Sequence, residues 1–318
     1  MNPQSTDTPS PRTALGQQIT AYRVSQLIFV AADLGIADRL ADGPKHFEEL
    51  AAATGVNPDG LFRCLRALAA VGIFTRMPDG KFGSSPQSEL LRRDIPGSLS
   101  AWARLNGHQI YPIFGELMYS IKTGRSAAEH LHGMTSWEYR SRNPALQAEF
   151  DEAMSEMSHQ TASAVLEGYD FSHLNRIVDV AGGQGVLLAA ILRDNPAGHG
   201  VLFDQQQVIA EAPTVLERAG VASRIELVGG SFFTDPIPPG DVHMLTHIIH
   251  DWDDDAAVRI LKNVRASMQP NQLLLVIDRV IAEDKPSLDV FLIDLNMLAG
   301  LGGRERTLAE FASLFAST

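Results

Sequence analysis

Three residues in the second half of the chain are of types suited to proton transfer. His250 precedes an aspartate and a tryptophan, and the carboxylic residues Asp278 and Glu305 follow it along the chain. An imidazole flanked by two carboxylates can be held in one tautomer and kept basic, as a general base requires. A histidine is also often structural, and a carboxylate is usually a solvated surface group. The position of His250 in the fold therefore decides between these alternatives.

A glycine-rich turn predicts a nucleotide site. Residues 181–185 read Ala-Gly-Gly-Gln-Gly between a β-branched run and an apolar helical pattern, and Asp204 follows Gly185 by 19 residues. Glycines let a ligand approach the backbone, and the next helix begins with free N–H donors. An acidic residue near this spacing typically meets ribose hydroxyls. The dinucleotide fingerprint G-x-G-x-x-G fails because its third position is Leu188, so the pattern indicates an adenosine ligand without a pyrophosphate.

The surrounding pattern predicts the elements that position these residues. From Asn175 onward, short β-branched runs alternate with amphipathic segments, which indicates an α/β domain with a parallel, doubly wound sheet. Strands are predicted at 176–180, 200–203, 224–228, 242–249 and 272–277, and helices at 186–194 and 254–267. Ligands of such sheets bind beyond the carboxyl ends of the strands. His250 is therefore expected at the end of the fourth strand, where a ligand would lie.

The first third of the chain has a different pattern. Residues 14–34 are predicted to form one helix that is apolar on most faces, which favours an interface with a partner subunit. Helices at 47–54 and from Pro58, followed by a hairpin around 78–80, predict a winged helix. DNA binding is one alternative for it. Its second helix offers only two arginines, too few for strong phosphate contacts, so we favour a structural, dimerising winged helix.

Composition excludes several classes of protein. The chain has 318 residues, 45% of them hydrophobic, with 38 acidic residues against 26 basic ones. A chain of this length can form about two domains. The excess of acidic residues argues against a surface that binds nucleic acid or an anionic membrane. Residues 1–12 are predicted to be disordered and lack a signal-peptide core, and no run reaches the roughly 18 apolar residues of a membrane span. The single cysteine, Cys64, excludes an internal disulfide, so we expect a cytoplasmic protein without a metal site.

Five segments occur in one order in the second half of the chain: Asp-Val-Ala-Gly-Gly-Gln-Gly at 179–185, Leu-Phe-Asp ending at Asp204, Val-Gly-Gly-Ser-Phe-Phe at 228–233, His-Asp-Trp at 250–252 and Gly-Gly-Arg-Glu-Arg-Thr at 302–307. Together they resemble the S-adenosylmethionine-dependent O-methyltransferases of the caffeic acid and hydroxyindole type, in particular the bacterial natural-product branch. The resemblance covers nearly the whole chain. It implies an α-helical winged-helix dimerisation domain at 13–100 and a Rossmann-like class I methyltransferase domain with a doubly wound sheet at 101–318.

The resemblance also implies a role for each matching residue. His250 is expected to be the general base that deprotonates an acceptor hydroxyl, with Asp278 and Glu305 beside it as catalytic acidic residues. The residues expected to contact S-adenosylmethionine are Ser158, Asp179, Ala181, Gly182, Gly183, Asp204, Gly230, Ser231, Phe232 and Thr246. Those expected to contact the small hydroxylated acceptor are Phe150, Met154, Met157, Asp251 and Met297. A homodimer that uses no metal, nucleic acid or membrane is the implied working unit.

Departures from the family pattern leave alternatives open. Ala181 replaces a usual glycine, a mild change if the backbone there suits other residues. Ser231 and Thr246 replace an aspartate and a lysine that help to hold the adenine end of the cofactor. A family member that supports a non-methylating decarboxylation or hydroxylation is therefore one alternative, and a DNA-binding regulator is a weaker one. The family also continues beyond Thr318 with an antiparallel hairpin, so strand 273–277 is expected to be an uncovered apolar edge.

Overall fold

The computed structural model describes residues 9–285 and 287–318. It divides into two compact units, one up to Gln109 and one from Ile110. Of the segment predicted to be disordered, residues 1–8 lie outside the described ranges, and the first helix begins at Pro11. Within the described ranges, no helix combines the length and the apolar character that a bilayer span requires.

The first unit is mainly helical. Its elements are α1 (Pro11–Ile19), α2 (Tyr22–Asp33), α3 (Ile36–Arg39), α4 (Phe47–Thr54), α5 (Pro58–Ala70), β1 (Thr75–Arg76), β2 (Phe82–Gly83), α6 (Pro86–Glu89) and α7 (Ser100–Leu105). The single helix predicted over 14–34 is wrong, because the chain breaks between α1 and α2. At the break the Thr20 hydroxyl donates to the carbonyl of Gly16, and such side-chain bonds to the backbone compete with continued helix.

The predicted helix-turn-helix and hairpin are both present in this unit. The Asn57 side chain accepts a hydrogen bond from the Gly60 N–H at 2.9 Å, and Pro58 follows in the first helical turn, so α5 has both a cap and a favourable first residue. β1 and β2 pair antiparallel. The apolar stripe of α5 is buried in the core of the unit through Leu61, Cys64, Leu65 and Leu68.

The second unit begins with helices and continues as an α/β sheet. A π-helical segment, Asn106–Ile110, covers the junction, and α8 (Tyr111–Gly115), α9 (Leu117–Thr123), α10 (Ala127–His132), α11 (Ser136–Ser141) and α12 (Pro144–Gly168) follow. The remaining elements are β3 (Arg176–Val180), α13 (Val186–Asp194), β4 (His199–Asp204), α14 (Gln206–Ile209), α15 (Ala212–Arg218), β5 (Ile225–Gly229), β6 (Val242–Thr246), α16 (Asp254–Ser267), β7 (Leu273–Ile277), β8 (Val280–Ile281), α17 (Leu288–Leu301), β9 (Arg306–Thr307) and α18 (Leu308–Ala316), with 3₁₀ turns at Ala222–Arg224 and Ile249–Asp251.

The central sheet confirms the predicted doubly wound α/β class. Its five strands are all parallel in the order β5-β4-β3-β6-β7, so the winding direction reverses between β3 and β6. Ligands of open α/β sheets bind at this switch point, beyond the carboxyl ends of the strands. Among the described strands β7 is an edge of this sheet, and its first residue, Leu273, is 41% exposed.

The fourth strand of the sheet is shorter than predicted. β6 ends at Thr246 because His247 adopts a left-handed backbone conformation with φ of 55°, which takes the chain out of the sheet. The next apolar residues do not extend the strand, and Ile249 is buried at the start of a 3₁₀ turn. His250 therefore lies in that turn, four residues beyond the strand, and its predicted position at the strand end is corrected accordingly.

Candidate active site

His250 is the centre of a buried polar cluster. Its side chain is 8% exposed, and its Nδ1 lies 2.8 Å from Oε1 of Glu305. A carboxylate oxygen accepts hydrogen bonds, so Nδ1 carries the proton and donates it. In the neutral ring Nε2 therefore carries the lone pair, and it lies 3.4 Å from Oδ1 of Asp251. The hydrogen bond to Glu305 thus fixes Nδ1 and leaves Nε2 as the nitrogen that can accept a proton.

The loop that carries Glu305 approaches His250 closely because it contains glycine. A Cβ on Gly303 would lie 2.1 Å from the carbonyl oxygen of His250, so another residue here would force the two segments apart. The next residue, Arg304, donates its backbone N–H to the same carbonyl at 2.8 Å. The Glu305 N–H donates to Oδ1 of Asp294 in α17 at 2.9 Å. Backbone contacts on both sides therefore fix the carboxylate that holds the imidazole.

Arg306 fastens the turn that contains His250, although the sequence reasoning assigned it no role. It is 1% exposed, and its Nη1 donates to the carbonyl of Ile249 at 2.9 Å. Nη2 donates to the carbonyl of Trp252 at 2.8 Å, and Nε to Asp254 at 3.1 Å. The guanidinium fork satisfies carbonyls on both sides of the histidine, which makes Arg306 a positioning residue.

Electrostatics make His250 a strong base. Burial lowers its pKa, but the hydrogen bond to Glu305 and the negative charges of Asp251, Asp278 and Glu305 outweigh burial and raise the pKa to about 9. The neighbouring carboxyl groups are shifted as well. Burial raises the pKa of Asp278 to about 7 and that of Asp251 to about 6, although the charge of His250 opposes both shifts. The charges of His250, Asp251 and Asp278 therefore shift one another's pKa values, so these three groups titrate together.

His247 is a second imidazole at the site that the sequence reasoning missed. Its Nδ1 lies 3.8 Å from Oδ1 of Asp278 and its Nε2 lies 3.2 Å from the hydroxyl of Thr161 in α12. Burial and the neighbouring charge of His250 lower its pKa to about 4, so it is neutral. The left-handed backbone of His247 brings its side chain to the site, and no periodicity in the sequence signals such a conformation.

The two imidazoles and Asp278 are close enough to raise the question of a metal ion. One ligand atom of each lies within 4.8 Å of the others. The rings of His247 and His250 are stacked, with centroids 5.6 Å apart and planes inclined by 27°. Imidazole lone pairs lie in the ring plane, so those of nearly parallel rings do not converge on one ion. The geometry fits a proton-transfer site better than a metal site.

The glycine-rich turn lies at the carboxyl end of β3. Asp204, at the end of β4, accepts the N–H of Gly183 at 2.9 Å, which ties the two strand ends together. A Cβ on Gly182 would lie 2.4 Å from Oδ2 of Asp179, whereas one on Gly183 would meet nothing within 4 Å. Ala181 has φ of 59°, a conformation that favours glycine. Its replacement of the family glycine is therefore strained, and the condition for a mild change is not met.

Buried polar atoms without partners line the ends of three strands. Both carboxylate oxygens of Asp179 and of Asp278, and the hydroxyl of Thr246, are buried and have no hydrogen-bond partner in the described part of the chain. Burial, reinforced by the charge of Asp204, raises the pKa of Asp179 to about 7. Buried polar groups normally have partners. A ligand rich in donors and positive charge fits these acceptors, and S-adenosylmethionine carries an ammonium, ribose hydroxyls and a sulfonium.

The loop after β5 contains the residues predicted beside the adenine. A Cβ on Gly230 would lie 2.7 Å from the ring of Phe203, so glycine is required for this packing. The Ser231 N–H donates to Oδ2 of Asp235 at 2.8 Å, and its hydroxyl accepts the Phe233 N–H at 3.3 Å. The ring of Phe232 packs against that of Trp252, with centroids 6.0 Å apart. The hydroxyl of Ser231 is therefore already engaged within its own loop.

The predicted acceptor residues lie mainly on one helix. Three of them, Phe150, Met154 and Met157, are half-buried and spaced by four and three residues along α12, so they share a helix face. The hydroxyl of Ser158 donates to the carbonyl of Met154 at 2.8 Å, which leaves its lone pairs for a ligand. Ser155 lies 3.5 Å from Gln184, which places α12 beside the glycine-rich turn. Met297 is half-buried on α17.

Comparison with known proteins identifies the family of the chain. A model described as an O-methyltransferase domain matches residues 114–318, and one described as an O-methyltransferase dimerisation domain matches 17–94. Phenazine O-methyltransferase PhzM of Lysobacter antibioticus is 40% identical over 302 residues, which cover 95% of this chain and 89% of that protein. The crystal structure of LaPhzM matches with a TM-score of 0.94 at 40% identity, covering 97% of this chain and 93% of that chain.

A further solved structure contains ligands. The O-methyltransferase NcsB1 from neocarzinostatin biosynthesis, solved with S-adenosylmethionine and 2-hydroxy-5-methyl naphthoic acid, matches with a TM-score of 0.83 at 34% identity. It covers 98% of this chain and 93% of that chain. The fold and the site thus define a Rossmann-like methyltransferase that uses S-adenosylmethionine. The chain belongs to the O-methyltransferase family and is an S-adenosylmethionine-dependent O-methyltransferase with an N-terminal dimerisation domain.

Proposed function

We propose that the enzyme methylates a hydroxyl of a small aromatic acceptor, with Nε2 of His250 as the general base. The observation that carries this proposal is the buried 2.8 Å hydrogen bond between His250 Nδ1 and Glu305, which leaves Nε2 as the basic atom. A phenol has a pKa near 10 and is a weak nucleophile while protonated. Removal of its proton by a positioned base typically contributes about 10²–10⁴-fold to a rate.

The protein's own contribution is to orient the reactants and to handle one proton. S-adenosylmethionine supplies an activated methyl group on sulfur. We assign its ribose to Asp204, its methionyl part to the glycine-rich turn and Asp179, and its adenine end to the loop at 230–232 with Thr246. These assignments are supported by the partnerless buried oxygens and by the open space over Gly183. Reaction by in-line displacement needs mainly alignment and a base.

The side chains on the acceptor side support an aromatic compound. The ring of Trp137 in α11 lies 5.9 Å from that of Phe150 and 6.5 Å from that of Trp252, measured between centroids. Flat aromatic faces and methionines favour a flat, apolar ligand. The relatives named above act on a phenazine or were solved with a naphthoic acid. We therefore assign Phe150, Met154, Met157, Asp251 and Met297 to the acceptor.

The test is a panel of phenols, hydroxynaphthalenes and hydroxyphenazines incubated with S-adenosylmethionine labelled in the methyl group. We expect label in an aryl methyl ether and S-adenosylhomocysteine formed in equal amount. Cofactor binding by calorimetry serves as the control for a folded, loaded enzyme. Tight cofactor binding without transfer to any member of the panel would favour the non-methylating alternative.

We also propose that the N-terminal unit pairs two copies of the chain. Exposed apolar side chains mark its first two helices: Leu15 and Ile19 on α1 are 57% and 66% exposed, and Val30 on α2 is 37% exposed. Such a surface is costly in water unless a partner covers it. We expect sedimentation to show a dimer at micromolar concentration, and a folded monomer there would contradict this proposal.

A further inference from the structure

Arg140 places a positive charge in the interior of the catalytic unit. This residue of α11 is 6% exposed. Its guanidinium carbon lies 4.0 Å from the ring centroid of Phe150 and 4.6 Å from that of Trp137, so two aromatic rings hold it. Cation–π contacts of this kind stabilise a guanidinium that has lost its water. The arginine is thus built into the aromatic cluster and is not a surface side chain.

Two guanidinium nitrogens of Arg140 lack a hydrogen-bond acceptor among the described residues. Nε and Nη2 are both buried, and neither has a hydrogen-bond partner in the described part of the chain. Burial lowers the pKa of Arg140 to about 10, although Asp251 and Asp151 counteract this through their negative charge. The charge therefore persists at neutral pH. Buried donors without an acceptor are costly, and the cost is greater for charged groups.

A comparison with Arg306 shows what a structural arginine in this unit looks like. Arg306 is as deeply buried, yet each of its three nitrogens donates to a carbonyl or carboxylate at 2.8–3.1 Å. Arg140 has the same donors, and no ion pair joins it to a carboxylate among residues 9–285 and 287–318. A fork of this kind matches the two oxygens of a carboxylate. Arg140 therefore has buried N–H donors that a ligand carboxylate could accept.

We propose that Arg140 binds a carboxylate carried by the acceptor and so selects acidic aromatic substrates. This inference rests on the proposed function. The position of Arg140 supports it, because the residue contacts Phe150 on the acceptor-side face of α12 and interacts electrostatically with Asp251, the neighbour of His250. An acceptor anchored there through its carboxylate would present its hydroxyl on the side of the base. The carboxylate also neutralises a charge that the unit leaves unpaired.

The test compares matched ligands on matched variants. The probes are a hydroxynaphthoate and its carboxamide, which differ by one charge, and their dissociation constants are measured in the presence of S-adenosylhomocysteine. The variants are Arg140→Met and, as the control, Arg259→Met. Arg259 also lies over an aromatic ring, 4.9 Å from the centroid of Phe233, but it is exposed. Arg140→Lys keeps the charge without the fork and covers the case in which Arg140→Met does not fold.

We expect the wild type and Arg259→Met to bind the carboxylate at least about 30-fold more tightly than the carboxamide, the lower range for a buried charge pair that loses one partner. Arg140→Met should abolish this preference, and Arg140→Lys should retain part of it. Equal loss of both probes would show that Arg140 is only structural. Weaker binding of S-adenosylhomocysteine alone would assign the arginine to the cofactor's carboxylate. Either result overturns the inference.

The binding readout separates this inference from the proposed function. A carboxylate preference that disappears in Arg140→Met supports the inference whether or not methyl transfer is detected. Absence of S-adenosylhomocysteine formation across the acceptor panel contradicts the proposed function alone. Where turnover is detected, the preference should appear as a higher KM for the carboxylate acceptor in Arg140→Met than in the control Arg259→Met.

Discussion

Replacement of Glu305 by glutamine should move the pH dependence of methyl transfer to lower pH. The change keeps the size of the side chain but removes the carboxylate that holds Nδ1 of His250 at 2.8 Å. The rise in the pKa of His250 from 6.5 to about 9 corresponds to about 3 kcal/mol in favour of the imidazolium. Glu305 makes the only direct hydrogen bond among the causes of that rise, and one opposite charge at contact changes a pKa by about 1–3.

The sign follows from the form that reacts. Only neutral His250 accepts a proton, so kcat/KM rises with pH until the imidazolium has lost its proton. The acid limb of Glu305→Gln should therefore lie about 1–3 pH units lower than that of the wild type. As the pH falls from 9.5 to 6, the ratio of kcat/KM of the variant to that of the wild type should increase. The total increase should be about tenfold for each pH unit by which the two acid limbs differ. On the alkaline plateau the variant should be slower, because its imidazole is a weaker base.

The assay is S-adenosylhomocysteine release at saturating cofactor over this pH range. Glu217→Gln, an exposed change on α15, serves as the control and should reproduce the wild-type profile. Parallel profiles for Glu305→Gln and wild type would refute the reasoning, because they would show that Glu305 does not set the basicity of the imidazole.

Three further changes test the supporting structure. Ala181→Gly should raise the free energy of unfolding by about 1 kcal/mol in chemical denaturation, because it relieves a left-handed alanine with φ of 59°. As the pH rises from 5 to 8, the free energy of unfolding of the wild type should fall by at most about 2–3 kcal/mol more than that of Asp179→Asn. The folded carboxyl has a pKa of about 7 against 3.8 unfolded, so the wild type loses stability as pH rises through this window. Arg306→Lys should cost about 2–4 kcal/mol of stability and also lower kcat, because lysine cannot reach the carbonyls on both sides of His250.

The fold was predictable where burial and periodicity agree. β3 and α13 occupy their predicted bounds because a fully buried strand and an apolar helix differ clearly in length and in flanking residues. β6 was overextended because the apolar residues after Thr246 continue the pattern of a buried strand, whereas the chain turns at His247. A left-handed residue leaves no periodic signal, so local sequence does not distinguish a strand from a buried 3₁₀ turn here.

The site was predictable only as far as motifs carry it. The motifs indicated His250 and Glu305, and the structure brings these two side chains into contact. Arg306 lies within the same motif as Glu305, but its role depends on carbonyls more than fifty positions away in the chain. Arg140 lies in an ordinary helical segment, and only three-dimensional packing shows that its nitrogens lack partners. Such properties depend on what surrounds a side chain, which the sequence alone does not state.

The most direct test of the central claim is methyl transfer by His250→Ala, measured together with cofactor binding. His243→Ala is the matched control, because His243 is buried in β6 with its Nε2 at 2.9 Å from the carbonyl of Pro238. We predict that His250→Ala binds S-adenosylhomocysteine like the wild type and loses about 10²–10⁴-fold in turnover at neutral pH, a loss that shrinks as the pH approaches the pKa of the acceptor. Turnover near the wild-type level at neutral pH, or loss of cofactor binding together with turnover, would contradict the role of His250 as general base.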